Sequence, residues 1–167
     1  MSRLDSVIRR LQAQRACLQL AADLIRDTEG CVLELGLGNG RTFDHLRETL
    51  PEREIFVFDL DVAAHPDCVP DPDHLILGDI RDTLPLAVAC LPSPAVLVHC
   101  DIGTGERDYN AKLAACLANL LPPLLAPGAV IASDQLIPIA GAEPLALPAE
   151  VSPGRYNLVR WWGVASS

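Results

Sequence analysis

Residues 31–44 read Cys31-Val-Leu-Glu-Leu-Gly-Leu-Gly-Asn-Gly-Arg-Thr-Phe-Asp44, and the fold follows from how this stretch is read. A short apolar run, Val32, Leu33 and Leu35, is interrupted by one acid, Glu34. Glycines then occupy alternate positions, Gly36, Gly38 and Gly40, before a pattern of helical period begins at Arg41. A buried strand, a tight turn and a helix N-terminus are the economical reading. Glycine suits such a turn because the chain visits positive φ there and because a side chain would hold a ligand off the backbone. The helix start behind it offers unpaired N–H groups to an anionic or polar ligand.

Spacing separates two cofactor classes. A dinucleotide fingerprint places glycine first, third and sixth; counted from Gly36, the sixth position is Arg41. Here the third glycine comes one residue early, and an acid precedes the first by two. Glu34-Leu-Gly-Leu-Gly-Asn-Gly40 resembles the first motif of class I S-adenosyl-L-methionine-dependent methyltransferases. The resemblance implies that Gly36, Gly38 and Gly40 pack against the methionine half of the cofactor. It also implies that Glu34 supports the loop and the ligand's amino group.

Length and composition bound the remaining possibilities. A chain of 167 residues is expected to form one domain and to bury roughly 70% of the surface its unfolded form exposes. Half the residues are hydrophobic and 21% are charged, a globular balance. The net charge of −9, with a single lysine at Lys112, argues against a nucleic-acid partner, which calls for clustered cations. No apolar run approaches the ~20 residues that span a bilayer, and charges throughout residues 1–27 argue against a secretory signal. The six cysteines lack metal-like spacing and read as core thiols of a reducing cytoplasm.

Residues 2–27 form an amphipathic helix in this reading, with Ser2 as N-cap and a stripe of Leu4, Ile8, Leu11, Leu18, Ala22 and Ile25. It covers a sheet edge or serves as a cofactor lid or dimer face. Residues 28–167 are then the cofactor-binding domain. After a helix from Arg41 to about Leu50, Glu54–Asp59 is a strand ending in an acid. Asp59 lies 23 residues after Gly36, close to the spacing at which an acid accepts both ribose hydroxyls; Asp61 competes for that role. The stretch 61–73, rich in Pro and Asp, allows at most one helical turn and shortens the usual crossover. A third strand runs from His74 to Asp79, and a brief helix from Arg81 to Cys90. In the resembled family an acid at Asp79 reaches the adenine amino group and the Ile80 N–H bonds the ring.

The fourth strand, Ala95 to Asp101, delivers His99, Cys100 and Asp101 to the carboxyl end of the sheet, where open α/β sheets bind ligands. A helix follows from Arg107 to Leu121. The phrase Leu124–Asp134, with its Pro-Gly turn, leads into the fifth strand and ends at Asp134-Gln135. Tyr156–Trp162 reads as a last strand with Leu136–Ile139 as antiparallel partner, and alternation sends Trp161 and Trp162 to opposite faces. The expected fold is therefore α/β, Rossmann-like and doubly wound, mostly parallel, with an antiparallel C-terminal hairpin.

The resemblance extends over residues 28–135 and implies a cytoplasmic methyltransferase acting on a small-molecule acceptor, with Asp101 or His99 facing that acceptor. His99 reads either as a general base or as a packed strand residue. A second resemblance, to divalent-metal O-methyltransferases of the catechol and caffeoyl-coenzyme A type, would have Asp101, Asp134 and Gln135 hold Mg2+ and lower the pKa of a hydroxyl. Gln135 stands where that family has Asn. A nicotinamide-dependent oxidoreductase and a non-catalytic S-adenosyl-L-methionine-binding module compete with both of these readings. The small size suggests a homodimer that closes the acceptor pocket.

Overall fold

The computed structural model describes residues 2–163. Among them, seven strands form one sheet in the order β3-β2-β1-β4-β5-β7-β6. The elements are α1 (Arg3–Leu24), β1 (Cys31–Leu35), α2 (Arg41–Thr49), β2 (Ile55–Asp59), β3 (Leu75–Leu77), α3 (Ile80–Ala87), β4 (Ala95–Cys100), α4 (Arg107–Leu120), β5 (Leu125–Ser133), β6 (Ala142–Pro144) and β7 (Asn157–Trp161). Strands β1 to β5 pair in parallel, and β7 inserts antiparallel between β5 and β6. The chain winds from β1 outward to β3, then returns to place β4 on the other side of β1. That reversal opens a crevice at the carboxyl ends of β1 and β4.

Alternation along β1 splits the core in two. Leu33 and Leu35 pack with Leu84, Leu117 and Leu121 beneath α3 and α4. Val32 faces the other way, with Cys17, Leu18, Phe43 and Leu46 beneath α1 and α2. Strand β1 is buried along its whole length, as a central parallel strand covered on both faces must be. Glu34 is therefore a carboxyl group in the core.

Helix α1 begins as expected at Ser2, whose hydroxyl accepts from the Asp5 N–H at 3.0 Å while the Asp5 carboxylate accepts from the Ser2 N–H at 3.0 Å. This reciprocal pair satisfies two orphan donors. The expected stripe is only half right. Leu4 and Ile8 stay 67% and 43% exposed, and burial starts at Ala13, continuing through Gln14, Cys17, Leu18 and Ala21. Small residues let this second half of the helix approach the sheet closely.

The segment between β2 and β3 carries two short 3-10 turns, Pro66–Cys68 and Pro72–His74, rather than a crossover helix. In the tail, β7 lies where the aromatic run predicts, but its partner is Ala142–Pro144 and not Leu136–Ile139. Ile137 and Ile139 are buried in the core instead, with the Ile139 N–H donating to the Ile137 carbonyl at 2.8 Å. A backbone turned on itself in this way has no ladder to offer a neighbour. Trp161 is buried and Trp162 exposed, in keeping with strand alternation.

Candidate active site

A cleft of about 280 Å³ opens at the carboxyl ends of the central strands. Gly36 and Gly38 form its floor beside Asp59, and Asp79 and Ile80 form one wall. Asp101, Thr104 and Tyr109 face them from the loop after β4 and the start of α4. Gly38 has a φ of 51° and no atom within 4 Å of the position a Cβ would take, so its backbone is open to the cleft. Gly40 lies outside the cleft. Its φ is 83°, and a Cβ there would approach Cys68 to 2.5 Å, so this glycine serves contact with the 61–73 segment.

Asp59 ties the turn to the tip of β2. Its Oδ2 accepts from the Leu37 and Gly38 N–H groups at 2.7 and 3.0 Å, and its Oδ1 from the Leu60 N–H at 2.7 Å. Oδ1 also accepts from the Asp61 N–H at 3.5 Å, a long contact whose place a stronger donor from the cleft can take. The rival acid, Asp61, spends its Oδ1 on the Val62 N–H at 2.7 Å and is absent from the cleft lining. Asp79 caps α3, accepting from the Arg81 N–H at 2.9 Å, and forms a two-pronged contact with the Arg81 guanidinium. Hydrogen bonds from Arg81 hold its carboxyl down at about 2. The Ile80 N–H, first in the helix, has no acceptor among the described residues and points the α3 N-terminus at the cleft wall.

A family profile described as S-adenosyl-L-methionine methyltransferase matches residues 1–161. The chain belongs to this family. A crystal structure of an S-adenosyl-L-methionine methyl transferase from Silicibacter pomeroyi DSS-3 is 44% identical, with a TM-score of 0.89, covering 96% of this chain and 98% of that one. More distant structures share the fold. TrmN from Thermus thermophilus has a TM-score of 0.55 at 20% identity over 84% of this chain and 47% of its own. An O-methyltransferase family protein from Burkholderia thailandensis has a TM-score of 0.54 at 12% identity over 89% of this chain and 56% of its own. A search of curated proteins finds no match. The nicotinamide and non-catalytic readings give way to a methyltransferase that uses S-adenosyl-L-methionine.

The other end of this methyltransferase's cleft is built differently. The Gln14 side chain, from α1, donates its Nε2–H to Asp101 Oδ2 at 2.7 Å, and Arg10 lies 3.6 Å from the same oxygen. Behind Asp101, His99 is completely buried. Its Nδ1 lies 2.6 Å from Glu34 Oε2 and its Nε2 lies 2.5 Å from the Tyr156 hydroxyl. Glu34 also accepts from the Thr42 hydroxyl on α2. Burial alone would lower the His99 pKa. The charge of Glu34 and its hydrogen bond outweigh that effect, with Asp101 and Asp134 adding to them, and raise it above the ordinary value. In the imidazolium Nδ1–H donates to Glu34 and Nε2–H to Tyr156.

These positions correct two expectations. His99 has no access to the cleft, so it is not a base in contact with an acceptor. Glu34 is enclosed by Thr42 and His99, so it supports the glycine turn through α2 rather than touching a ligand's amino group. Sequence reasoning missed Gln14, Arg10 and Tyr156. The one available signal was Gln14, a polar residue on the apolar stripe between Leu11 and Leu18, where a buried side chain requires a partner.

The residues expected to hold Mg2+ do not fit the ion. Asp134 and Gln135 pack into the space that a side chain on Gly103 would fill, with Asp134 Oδ2 and Gln135 Nε2 both pressed against the position of the absent Cβ. Asp101 lies on the cleft side, its Oδ2 facing an amide N–H and a guanidinium, donors where a cation needs lone pairs. Among the described residues no three His, Cys, Asp or Glu side chains gather closely enough to hold a metal. Burial, reinforced by the Asp101 charge, pushes the Asp134 carboxyl up to about 6.

Proposed function

We propose that this enzyme moves the methyl group of S-adenosyl-L-methionine to a small-molecule acceptor bound beside Asp101. The continuity of the cleft carries the reading, since one cavity joins Gly36, Gly38, Asp59, Asp79 and Ile80 to Asp101 and Thr104. Asp59 takes a ribose hydroxyl at Oδ1, where the ligand replaces the long contact from the Asp61 N–H. Asp79 and the Ile80 N–H read the adenine edge, while Phe58, Leu60 and Ile80 supply apolar lining. The Gly36–Gly38 turn admits the methionine half close to the backbone. The donor brings an activated sulfonium, so the protein's main task is to hold the acceptor in line. Asp101 receives the acceptor's proton where one must leave. No divalent metal enters this reading, so activity assayed with and without EDTA should be the same.

The acidic chain, net −9, suits a small acceptor better than a nucleic acid. Six free thiols accord with a cytoplasmic setting, and no described helix is long and apolar enough to cross a membrane. Leu4, Val7 and Ile8, exposed at the start of α1, are the surface on which a homodimer would form. Calorimetric titration with S-adenosyl-L-methionine, S-adenosylhomocysteine and NAD+ tests the cofactor assignment. Micromolar binding of the first two is expected. Asp59→Asn, which keeps the side chain's shape, weakens both by about 10- to 100-fold, the worth of one or two charge-assisted hydrogen bonds. Binding of NAD+ alone would overturn the assignment.

A further inference from the structure

We infer that two copies of this chain pair through unlike patches, the start of α1 on one seated against residues 60–77 of the other. A two-fold axis forms the same contact twice. The inference rests on the reading of α1 as a homodimer surface and deepens it by naming what that surface meets.

Among the described residues twelve large apolar side chains are exposed, and six of them fall in two stretches: Leu4, Val7 and Ile8, then Leu60, Val62 and Leu77. Scattered apolar side chains are ordinary on a surface, whereas grouped ones mark places of contact. Leu4, Val7 and Ile8 stand at i, i+3 and i+4, on one face of a helix. The capping box at Ser2 keeps that face formed to its first turn. Burial in α1 begins only at Ala13, so these residues cover no core of their own. In the second stretch Asp59 is the register partner of Leu77, so Leu60 leaves β2 beside the point where Leu77 ends β3.

Charge decides which surface covers which. Residues 3–22 carry Arg3, Arg9, Arg10 and Arg15 against Asp5 alone, in a chain whose net charge is −9. Arg10 is engaged by Asp101. Arg3 lies one turn before Val7 and Arg15 one turn after Leu11, so the two flank the apolar face along its own stripes. Residues 60–77 carry Asp61, Asp67, Asp71 and Asp73, all exposed, and neither Lys nor Arg. Arg47, which donates to the Asp67 carbonyl, is itself paired with Asp44. Pairing α1 with α1 would gather the arginines of both copies, and pairing 60–77 with itself would gather their aspartates. The unlike pairing joins apolar to apolar and cation to anion, an arrangement that fixes register and partner choice. Leu60 also lines the methyl-donor cleft, so the partner's α1 rests at the edge of that cleft.

Sedimentation velocity over a concentration series tests the pairing with two charge-reversed variants, Arg3→Glu with Arg15→Glu, and Asp71→Lys with Asp73→Lys. All four residues are exposed, and melting curves confirm that both variants fold. The native chain is expected to dimerise, and each variant alone to do so about tenfold more weakly or worse, since attraction becomes repulsion in both copies of the contact. An equal mixture of the two variants should recover dimers of near-native strength, because every reversed patch then meets its opposite. A native chain that stays monomeric would remove the homodimer reading together with this inference. A native dimer that the aspartate substitutions leave intact would keep the homodimer and overturn residues 60–77 as its counter-surface. A mixture that pairs no better than either variant alone would overturn the unlike pairing as well.

Discussion

The two ends of the cleft are built on opposite plans. At the Asp59 end, carboxylates at strand tips are held within short stretches of chain: Asp59 by the Leu37, Gly38 and Leu60 N–H groups, and Asp79 by the N–H and the guanidinium of Arg81 two residues on. At the Asp101 end, side chain holds side chain, with Gln14, Glu34, His99 and Tyr156 meeting from four distant segments. The first plan keeps its carboxylates in the lining of the cleft. The second seals charge inside the protein, where pairing must offset the cost of desolvation. In the reading proposed above, one end binds the cofactor and the other keeps Asp101 in place.

The sharpest way to break this contrast is to remove Glu34. Glu34→Ala leaves His99 buried without its counter-charge, and breaking such a pair costs about 3–5 kcal/mol. For a chain of this length the melting temperature should fall by roughly 10 °C. The pH dependence has a definite sign. A histidine whose folded pKa is raised contributes stability that is fully present below its unfolded value, 6.5, and is lost as pH rises through the folded pKa. The deficit of the variant should therefore be greatest in mildly acidic buffer. Asp59→Asn, at the solvated end, exchanges one acceptor oxygen for an NH2 and should cost less, about 1–2 kcal/mol. Equal losses from the two substitutions would abolish the distinction.

Gln14→Leu probes the same end more gently. It removes the donor to Asp101 Oδ2 and sets an apolar group beside buried polar ones, at a cost of about 1–3 kcal/mol. Thermal unfolding should register that loss, while calorimetry should find S-adenosyl-L-methionine affinity within about twofold of the native value. A loss of affinity as large as that of Asp59→Asn would mean that the two ends act as one.

This division also explains what could be read from the chain. Asp59, Asp79 and the glycine turn are legible because each sits where a strand ends, and strand ends follow from apolar runs of predictable length. Asp101 is legible for the same reason. The partners of Asp101 are not, because a hydrogen bond between residues 14 and 101 depends on how α1 crosses the sheet, which periodicity does not specify. His99 has two readings open in a continuous apolar strand, and only the register of β4 beside β1, with His99 opposite Glu34, decides between them. Misplacing β6 at Leu136–Ile139 has a related cause. Those residues are apolar enough for a strand, yet they serve the core as side chains and leave the ladder to Ala142–Pro144.

Asp134 offers the smallest and most discriminating test, because it belongs to neither plan. It is a carboxyl partly buried beside Gly103 and near Asp101, with its pKa pushed up to about 6 by burial and by that neighbouring charge. An acid whose folded pKa exceeds its unfolded value, 3.8, binds protons more strongly in the native state, so stability declines as pH rises from about 4 to about 6. Above that window the fold carries a charge that it would hold more favourably as the neutral acid. Asp134→Asn removes the charge and keeps the shape, so the variant should be more stable than the native protein at pH 8, by on the order of 1 kcal/mol. The advantage should vanish below about pH 4, where both forms are neutral. Melting curves across that range check it. A native protein that outlasts the variant at pH 8 would show instead that Asp134 is a paired carboxylate like Glu34, and the sealed network would then extend across Gly103 to the fifth strand.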